Sequence, residues 1–169
     1  MARNLQDKSL IITGASAGIG AAVAREAAAR GMHVVLNARR EDRLVTLAQE
    51  IEKIGRRAVI MAGDIAEPDM PQKLIDRTVE QFGQVDVMFA NAGYGFMKPV
   101  VQMDDAELRK IFEVNYFACV RCMQAAAAHM TPRKAGHIII TSSIVGRVGL
   151  PYYAAYSATK SAQDTFAMG

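Results

Sequence analysis

Short apolar runs and helix-like stretches alternate without a break along this chain, and that alternation limits what it can fold into. The runs at 9–13, 33–37, 58–62, 85–90 and 137–141 are nearly continuous in apolar residues, as in Ile138-Ile139-Ile140. Continuous rather than alternating hydrophobicity is what a strand covered on both faces requires. The stretches between them read as helices. Residues 21–30 are Ala-rich and end at Gly31, which suits a left-handed helix cap. Leu44, Leu47, Ile51 and Ile54 recur near helical spacing through 41–54, and Gly55 stops them. A third helix is expected over 69–82, closed by Gly83. A long one is expected from an N-cap at Asp104, with Glu107 three residues on completing a capping-box pattern, to about Met130. A last helix begins near Tyr152. Strands alternating with helices pair in parallel through right-handed crossovers. The expected fold is α/β: a doubly wound parallel sheet between two helical layers, with five strands. No repeat or linker divides residues 1–169, which read as one domain.

Ligands on such a sheet lie at the carboxyl ends of the strands. The unusual residues cluster at those ends: Gly14, Arg39, Asp64, Asn91 and Ser143. After the first strand comes Gly14-Ala15-Ser16-Ala17-Gly18-Ile19-Gly20. Its glycines let the backbone turn tightly and approach a pyrophosphate resting on the next helix's N-terminus. The spacing is Gly-xxx-Gly-x-Gly rather than G-x-G-x-x-G, and an ordinary tight turn is the alternative. An acidic residue at the tip of the second strand binds the ribose 2′-OH of NAD, whereas an arginine accommodates the 2′-phosphate of NADP. Here the tip reads Asn37-Ala38-Arg39-Arg40, with Arg43 beyond. The missing acid and Arg39 favour NADP over NAD, unless these charges only form a solvated helix start. Asp64, followed by Ile65, is placed to meet the adenine or to cap the next helix.

The stretch 141–160, TSSIVGRVGLPYYAAYSATK, runs from a strand tip through a Gly/Pro-rich turn into a helix. It puts Ser143 at the tip, with Tyr156 and Lys160 four residues apart on one helix face. A lysine ammonium about 4 Å from a phenol favours the phenolate by roughly 4 kcal/mol at an effective dielectric of ~20. That brings a group that ordinarily ionises near pH ~10 to about neutral pH, where it can act as acid and base. Ser143 could hydrogen-bond the same substrate oxygen. An ordinary half-buried helix tyrosine is the alternative. Tyr94 and Lys98 share the spacing, but Gly93, Gly95 and Pro99 make their segment a loop. Asn115 interrupts the apolar helical stretch 111–120, where a polar residue needs a partner or a bound water unless it faces solvent.

Composition removes other classes. Twenty basic against 17 acidic residues leave a net charge of +3, scattered along the chain, and no aromatic-plus-basic run points to nucleic acid. No apolar stretch approaches the ~18 residues of a membrane span. The apolar run near the N-terminus is only 10–12, too short for a signal-peptide core, so the expected location is the cytoplasm. Cys119 and Cys122 form a lone C-x-x-C without a second pair or histidines at ligand spacing. They read as buried hydrophobes, and no metal site is expected. His33, His129 and His137 lie far apart and read as structural or surface residues.

Together these motifs resemble the short-chain dehydrogenase/reductase family, in its single-domain branch, over nearly the whole chain. The residues that carry the resemblance are the loop Thr13 to Gly20, Asp64, Asn91-Ala92-Gly93, Asn115, Ser143, Tyr156 and Lys160. It implies a single NAD(P)-binding Rossmann domain that interconverts an alcohol and a carbonyl by hydride transfer. Tyr156 would exchange a proton with the substrate oxygen. Lys160 would lower the tyrosine's pKa and bind the nicotinamide ribose. Ser143 would orient the substrate, and Asn115 would hold a water relaying protons to Lys160. Ser142 is the second choice for the serine. The family implies a homodimer or homotetramer with a small-molecule substrate. Its members run to about 250 residues by the same resemblance, with further strands after the last helix here. The chain is therefore expected to be incomplete at its C-terminus, with the fifth strand as an apolar edge. A nucleotide-binding module without turnover is the alternative function. An epimerase or dehydratase is a third.

Overall fold

A computed structural model describes residues 4–169. Its five strands are β1 (Ser9–Thr13), β2 (His33–Ala38), β3 (Ala58–Ala62), β4 (Val87–Ala90) and β5 (His137–Ile140). They form one sheet of order β3-β2-β1-β4-β5, parallel throughout. The order reverses between β1 and β4, and the crevice over that switch point is where a doubly wound sheet binds its ligand.

The helices are α1 (Gly18–Ala29), α2 (Glu41–Lys53), α3 (Met70–Phe82), α4 (Asp105–Phe112), α5 (Ala118–Met130) and α6 (Ala154–Met168). Successive strand residues point to opposite faces. Leu10, Ile12, Val34 and Leu36 pack against Ala24 and Ala28 of α1 and Leu44, Leu47 and Ile51 of α2. Ile11, Val35 and Met88 face the other way, onto Leu74 of α3 and Cys119, Cys122 and Ala126 of α5. Helix α6 packs on the α4–α5 rod. Two apolar layers thus hold the strand tips at fixed heights, and the polar loops inherit that order. No helix among the described residues is long and apolar enough to cross a membrane.

Several boundaries differ from expectation, α1 beginning at Gly18 among them, and three of the differences have a local physical reason. The long helix expected from Asp104 does begin with a capping box, Glu107 N donating to Asp104 Oδ1 at 2.8 Å. It is interrupted by a π-turn, Glu113–Phe117, which carries Asn115. The extra residue in that turn reorients the helix face where Asn115 finds its partners, and single π-turns of this kind mark functional sites. Helix α6 starts at Ala154 because Tyr152 takes a left-handed conformation, φ 68°, that no helix continues through. Strand β4 starts at Val87 because the preceding groups are already engaged. Val85 N donates to His129 Nε2 at 3.2 Å, and Asp86 N donates to Ser9 Oγ at 3.0 Å. On β5, Ile138 and Ile139 are exposed, so the sheet has the apolar edge the sequence implies.

Candidate active site

Asn91 ties together the tips of three strands. Its backbone N–H donates to Thr13 Oγ1 at 3.0 Å and its Nδ2 to Thr13 O at 3.0 Å. Thr141 Oγ1 in turn donates to Asn91 Oδ1 at 2.8 Å. Ala92 N donates to the same Thr13 hydroxyl at 3.0 Å. This draws the residues after β4 onto the glycine turn after β1. The approach leaves no room for side chains: a Cβ on Gly14, whose φ is +69°, would stand 2.9 Å from Ala92 Cα. On Gly20 it would stand 2.5 Å from Gly14 O. No side chain caps the N-terminus of α1, and Ala17, Gly18 and Ile19 lie open to solvent there. The first-turn N–H groups are left without a side-chain cap, as at helix N-termini that receive a phosphate.

Two arginines stand at the rim of this cradle. Arg39 is exposed beside it, near enough to Tyr94 for its charge to act on that phenol. The neighbouring Arg40 reaches the turn itself, its Nη2 donating to Ser16 Oγ at 2.9 Å. Asp64 accepts from Ala66 N at 3.0 Å, closing a turn ahead of α3, and Ile65 is buried beneath. Asn37 Nδ2 donates to Met61 O at 2.9 Å and so holds the β2 and β3 tips together.

The second cluster stands across the switch point. Lys160 is 3% exposed although it carries an ammonium. Its Nζ donates to Thr141 O at 2.6 Å and lies 5.6 Å from the Tyr156 ring centroid. Burial lowers its pKa, and Cys119 and Asp164 partly offset that. Tyr156 is half-buried, with Tyr153 edge-on to its ring at 6.5 Å between centroids. A Cβ on Gly95 would be 3.2 Å from the same ring. Asn115 is fully buried: Nδ2 donates to Tyr94 O at 2.8 Å and to Thr159 Oγ1 at 3.1 Å, and Oδ1 accepts from Tyr94 N at 3.0 Å. The solvent-facing alternative for Asn115 is therefore excluded. Ser143 sits in extended backbone just after β5. Its carbonyl accepts from Gly146 N at 3.0 Å, and Gly146 packs directly on the α6 backbone at Lys160. Ser142 is engaged elsewhere, donating to Asp164 Oδ2 at 2.8 Å.

The structure thus gathers Tyr156, Lys160 and Asn115 into one cluster, with the Ser143 turn pinned to the same helix. Thr159 and Gly95 also belong to it, and neither stands out in the sequence. Cys122 does not belong to it, whereas Cys119 lies near enough to act on Lys160. Both are buried and free, and burial pushes the Cys122 thiol up to about 12, which keeps it inert. His129 serves as an acceptor for Val85 N, and His33 stacks on Phe82 at 5.1 Å. Among the described residues no group of three or more His, Cys, Asp or Glu could hold a metal.

A parallel sheet with a glycine turn at its switch point, and a buried lysine beneath a tyrosine beside it, define a doubly wound α/β protein. The short chain dehydrogenase family model matches residues 8–169, and the chain belongs to that family. It is 37% identical over 159 residues to an L-rhamnose 1-dehydrogenase (NAD(P)(+)) of Sphingomonas, covering 93% of this chain and 63% of that protein. It is 34% identical to a diacetyl reductase, (S)-acetoin forming, of Staphylococcus epidermidis, covering 94% of this chain and 62% of that one. Among solved structures, a short chain dehydrogenase from Burkholderia cenocepacia in complex with NADP superposes with a TM-score of 0.89 at 30% identity, over 97% of this chain and 67% of that one. An NAD+-bound xylitol dehydrogenase superposes with a TM-score of 0.92 at 26% identity, over 97% and 64%. The chain spans 53% of the length of another curated relative, a short chain dehydrogenase of Pseudocercospora fijiensis.

Proposed function

We propose that this chain carries the cofactor cradle and catalytic groups of an NADP-dependent oxidoreductase that interconverts an alcohol and a carbonyl. The observation that carries the reading is the buried Lys160 ammonium beneath Tyr156, linked to the Gly14–Gly20 cradle by the Ala92–Gly93 backbone that packs on Gly14 and beside Lys160 Nζ. The residues fit a dinucleotide: the close backbone approach at Gly14 and Gly20 and the uncapped α1 N-terminus leave space and donors for a pyrophosphate. When bound, the nicotinamide would supply or accept the hydride. In the reductive direction Tyr156 Oη would give its proton to the substrate oxygen. Lys160 would place its ammonium beside the Tyr156 ring and so favour negative charge on the oxygen left behind. Ser143 Oγ would donate a hydrogen bond to the same oxygen. Asn115 would hold the Tyr94 backbone and α6 in register. The preference for NADP is supported by Arg39 and Arg40 and by the absence of an acid from Asn37 to Arg40.

The test is turnover of a carbonyl panel with NADPH by the full-length protein and by Tyr156→Phe. The expected result is a loss of about 10³-fold or more in kcat with unchanged NADPH binding. Near-normal turnover by Tyr156→Phe would remove the tyrosine from the chemistry. Tight NADPH binding without turnover of any substrate would leave the binding-module reading instead. Arg39→Ala and Arg40→Ala should each weaken NADPH more than NADH, and equal losses would mean neither arginine reads the 2′-phosphate.

A further inference from the structure

We propose that Thr159 is a positioning residue: through Asn115 it locks the Tyr94 backbone to the first turn of α6 and so sets where the Tyr156 phenol stands. The proposal rests on the reading of Tyr156 as the acid/base. Thr159 has no exposed surface, and its hydroxyl is used in both directions. It donates to Tyr156 O at 2.7 Å and accepts from Asn115 Nδ2 at 3.1 Å. A helix threonine often bonds a carbonyl one turn back, so the first bond alone would be ordinary. The second comes from a different helix, at its π-turn. Asn115 spends its other N–H on Tyr94 O and its carbonyl on Tyr94 N. Flipping the amide would set Nδ2 against the Tyr94 N–H, so the network has one arrangement. Buried networks satisfied in this way are rigid.

The bridge also lies where rigidity matters. Gly93, just before Tyr94, packs on Asn115: a Cβ there would be 3.1 Å from Oδ1. Gly95, just after, packs on the Tyr156 ring. One side of the bridge therefore holds the loop that borders the cofactor crevice, and the other holds the backbone carbonyl of the tyrosine itself. Valine at 159 keeps the shape and β-branching but can neither donate nor accept. Serine keeps both bonds and loses only a methyl.

The experiment compares Thr159→Val and Thr159→Ser in the full-length protein by steady-state kinetics, NADPH affinity and thermal unfolding. NMR hydrogen exchange at the Asn115 side-chain amide is measured alongside. For Thr159→Val the expected result is a fall in kcat of about tenfold or more, as misplacement of a reacting group produces, with NADPH affinity within about twofold. The Asn115 amide protons should exchange at least about tenfold faster in this variant. Thr159→Ser should keep both kcat and exchange within about threefold of the parent. Equal kcat and equal exchange in the two variants would overturn the proposal. So would a serine variant that falls as far as the valine one, or a loss of kcat that only follows lost folded protein. If the parent turns over nothing with either nicotinamide, the oxidoreductase reading falls on its own, and the exchange rates still decide whether the bridge exists.

Discussion

Two segments of this chain place a lysine four residues after a tyrosine, and their surroundings differ in almost every respect. Tyr94 and Lys98 lie in an irregular loop, where the spacing sets no shared face. Lys98 Nζ turns away to Glu107, while its backbone N–H donates to Tyr152 O at 3.0 Å. Burial raises the Tyr94 pKa, and the Glu107 carboxylate raises it further. Tyr156 and Lys160 lie on α6, where the helix stacks the ammonium 5.6 Å from the ring centroid. A spacing thus acquires chemical meaning only where a helix turns it into a common face. The two segments also touch. Through Tyr94 and Gly95 the loop braces α6, so the segment that lacks the geometry supports the one that has it.

The comparison breaks most visibly at the lysines. If Tyr156 is the acid/base as proposed, Lys160→Met should lower kcat by roughly 10³-fold, since it removes the charge proposed to support the phenol. Lys98→Met should stay within about twofold. Steady-state turnover with NADPH checks both, and similar losses would mean the loop lysine also reaches the chemistry. Gly95→Ala should come next. Gly95 is not among the left-handed glycines, so the added methyl strains no backbone. It would meet Tyr156 at 3.2, 3.3 and 3.6 Å from Cδ2, Cγ and Cε2. A ring pushed by a few tenths of an ångström should lose about ten- to a hundredfold in kcat. An unchanged kcat would show that the loop gives way and does not hold the ring.

How much of this was legible in the sequence depended on how local each cause is. Ser9–Thr13 and Ala58–Ala62 read correctly because a short apolar run bounded by turn residues has few other uses. The Asp104 capping box read correctly because both of its bonds lie within four residues. The π-turn at Asn115 was not legible, because the break that Asn115 makes in the apolar stretch marks a polar residue in a helix and not an extra residue in its turn. The partner that Asn115 meets there, Tyr94, lies 21 residues away in sequence. Arg40 was overshadowed by Arg39 because both follow the β2 tip, and only the path of the chain decides which side chain meets Ser16. Thr159 reads as one more helix residue between Ala158 and Lys160. Only its burial and its bond to another helix single it out.

A smaller effect separates the lysines by pH. Burial lowers the Lys160 pKa from 10.5. Between that lowered value and 10.5 the unfolded chain holds a proton that the folded chain has shed, so stability gains with rising pH across that window. The Cys122 thiol acts in the opposite sense. It is raised from 9.0 to about 12, so above about 9 the unfolded chain releases a proton the folded one keeps, and stability falls. Subtracting the Lys160→Met unfolding free energies from those of the parent isolates the lysine. The difference should rise toward pH 10.5, and a flat difference would mean the ammonium is better solvated than its burial implies.

The smallest effect concerns the pair of Lys98 with Glu107. Their side chains are 28% and 40% exposed, so water screens the attraction. Glu107 also has a second task, closing the capping box with Asp104. Glu107→Gln keeps an acceptor for that box while removing the charge. A double-mutant cycle of Lys98→Met and Glu107→Gln, read by chemical denaturation, should give a coupling of about 0.5–1 kcal/mol, the range for partly exposed pairs. A coupling above ~2 kcal/mol would make the ion pair the brace of the loop. A small one leaves that role to the backbone bonds at Tyr94 and Tyr152, which no side-chain substitution at Lys98 removes.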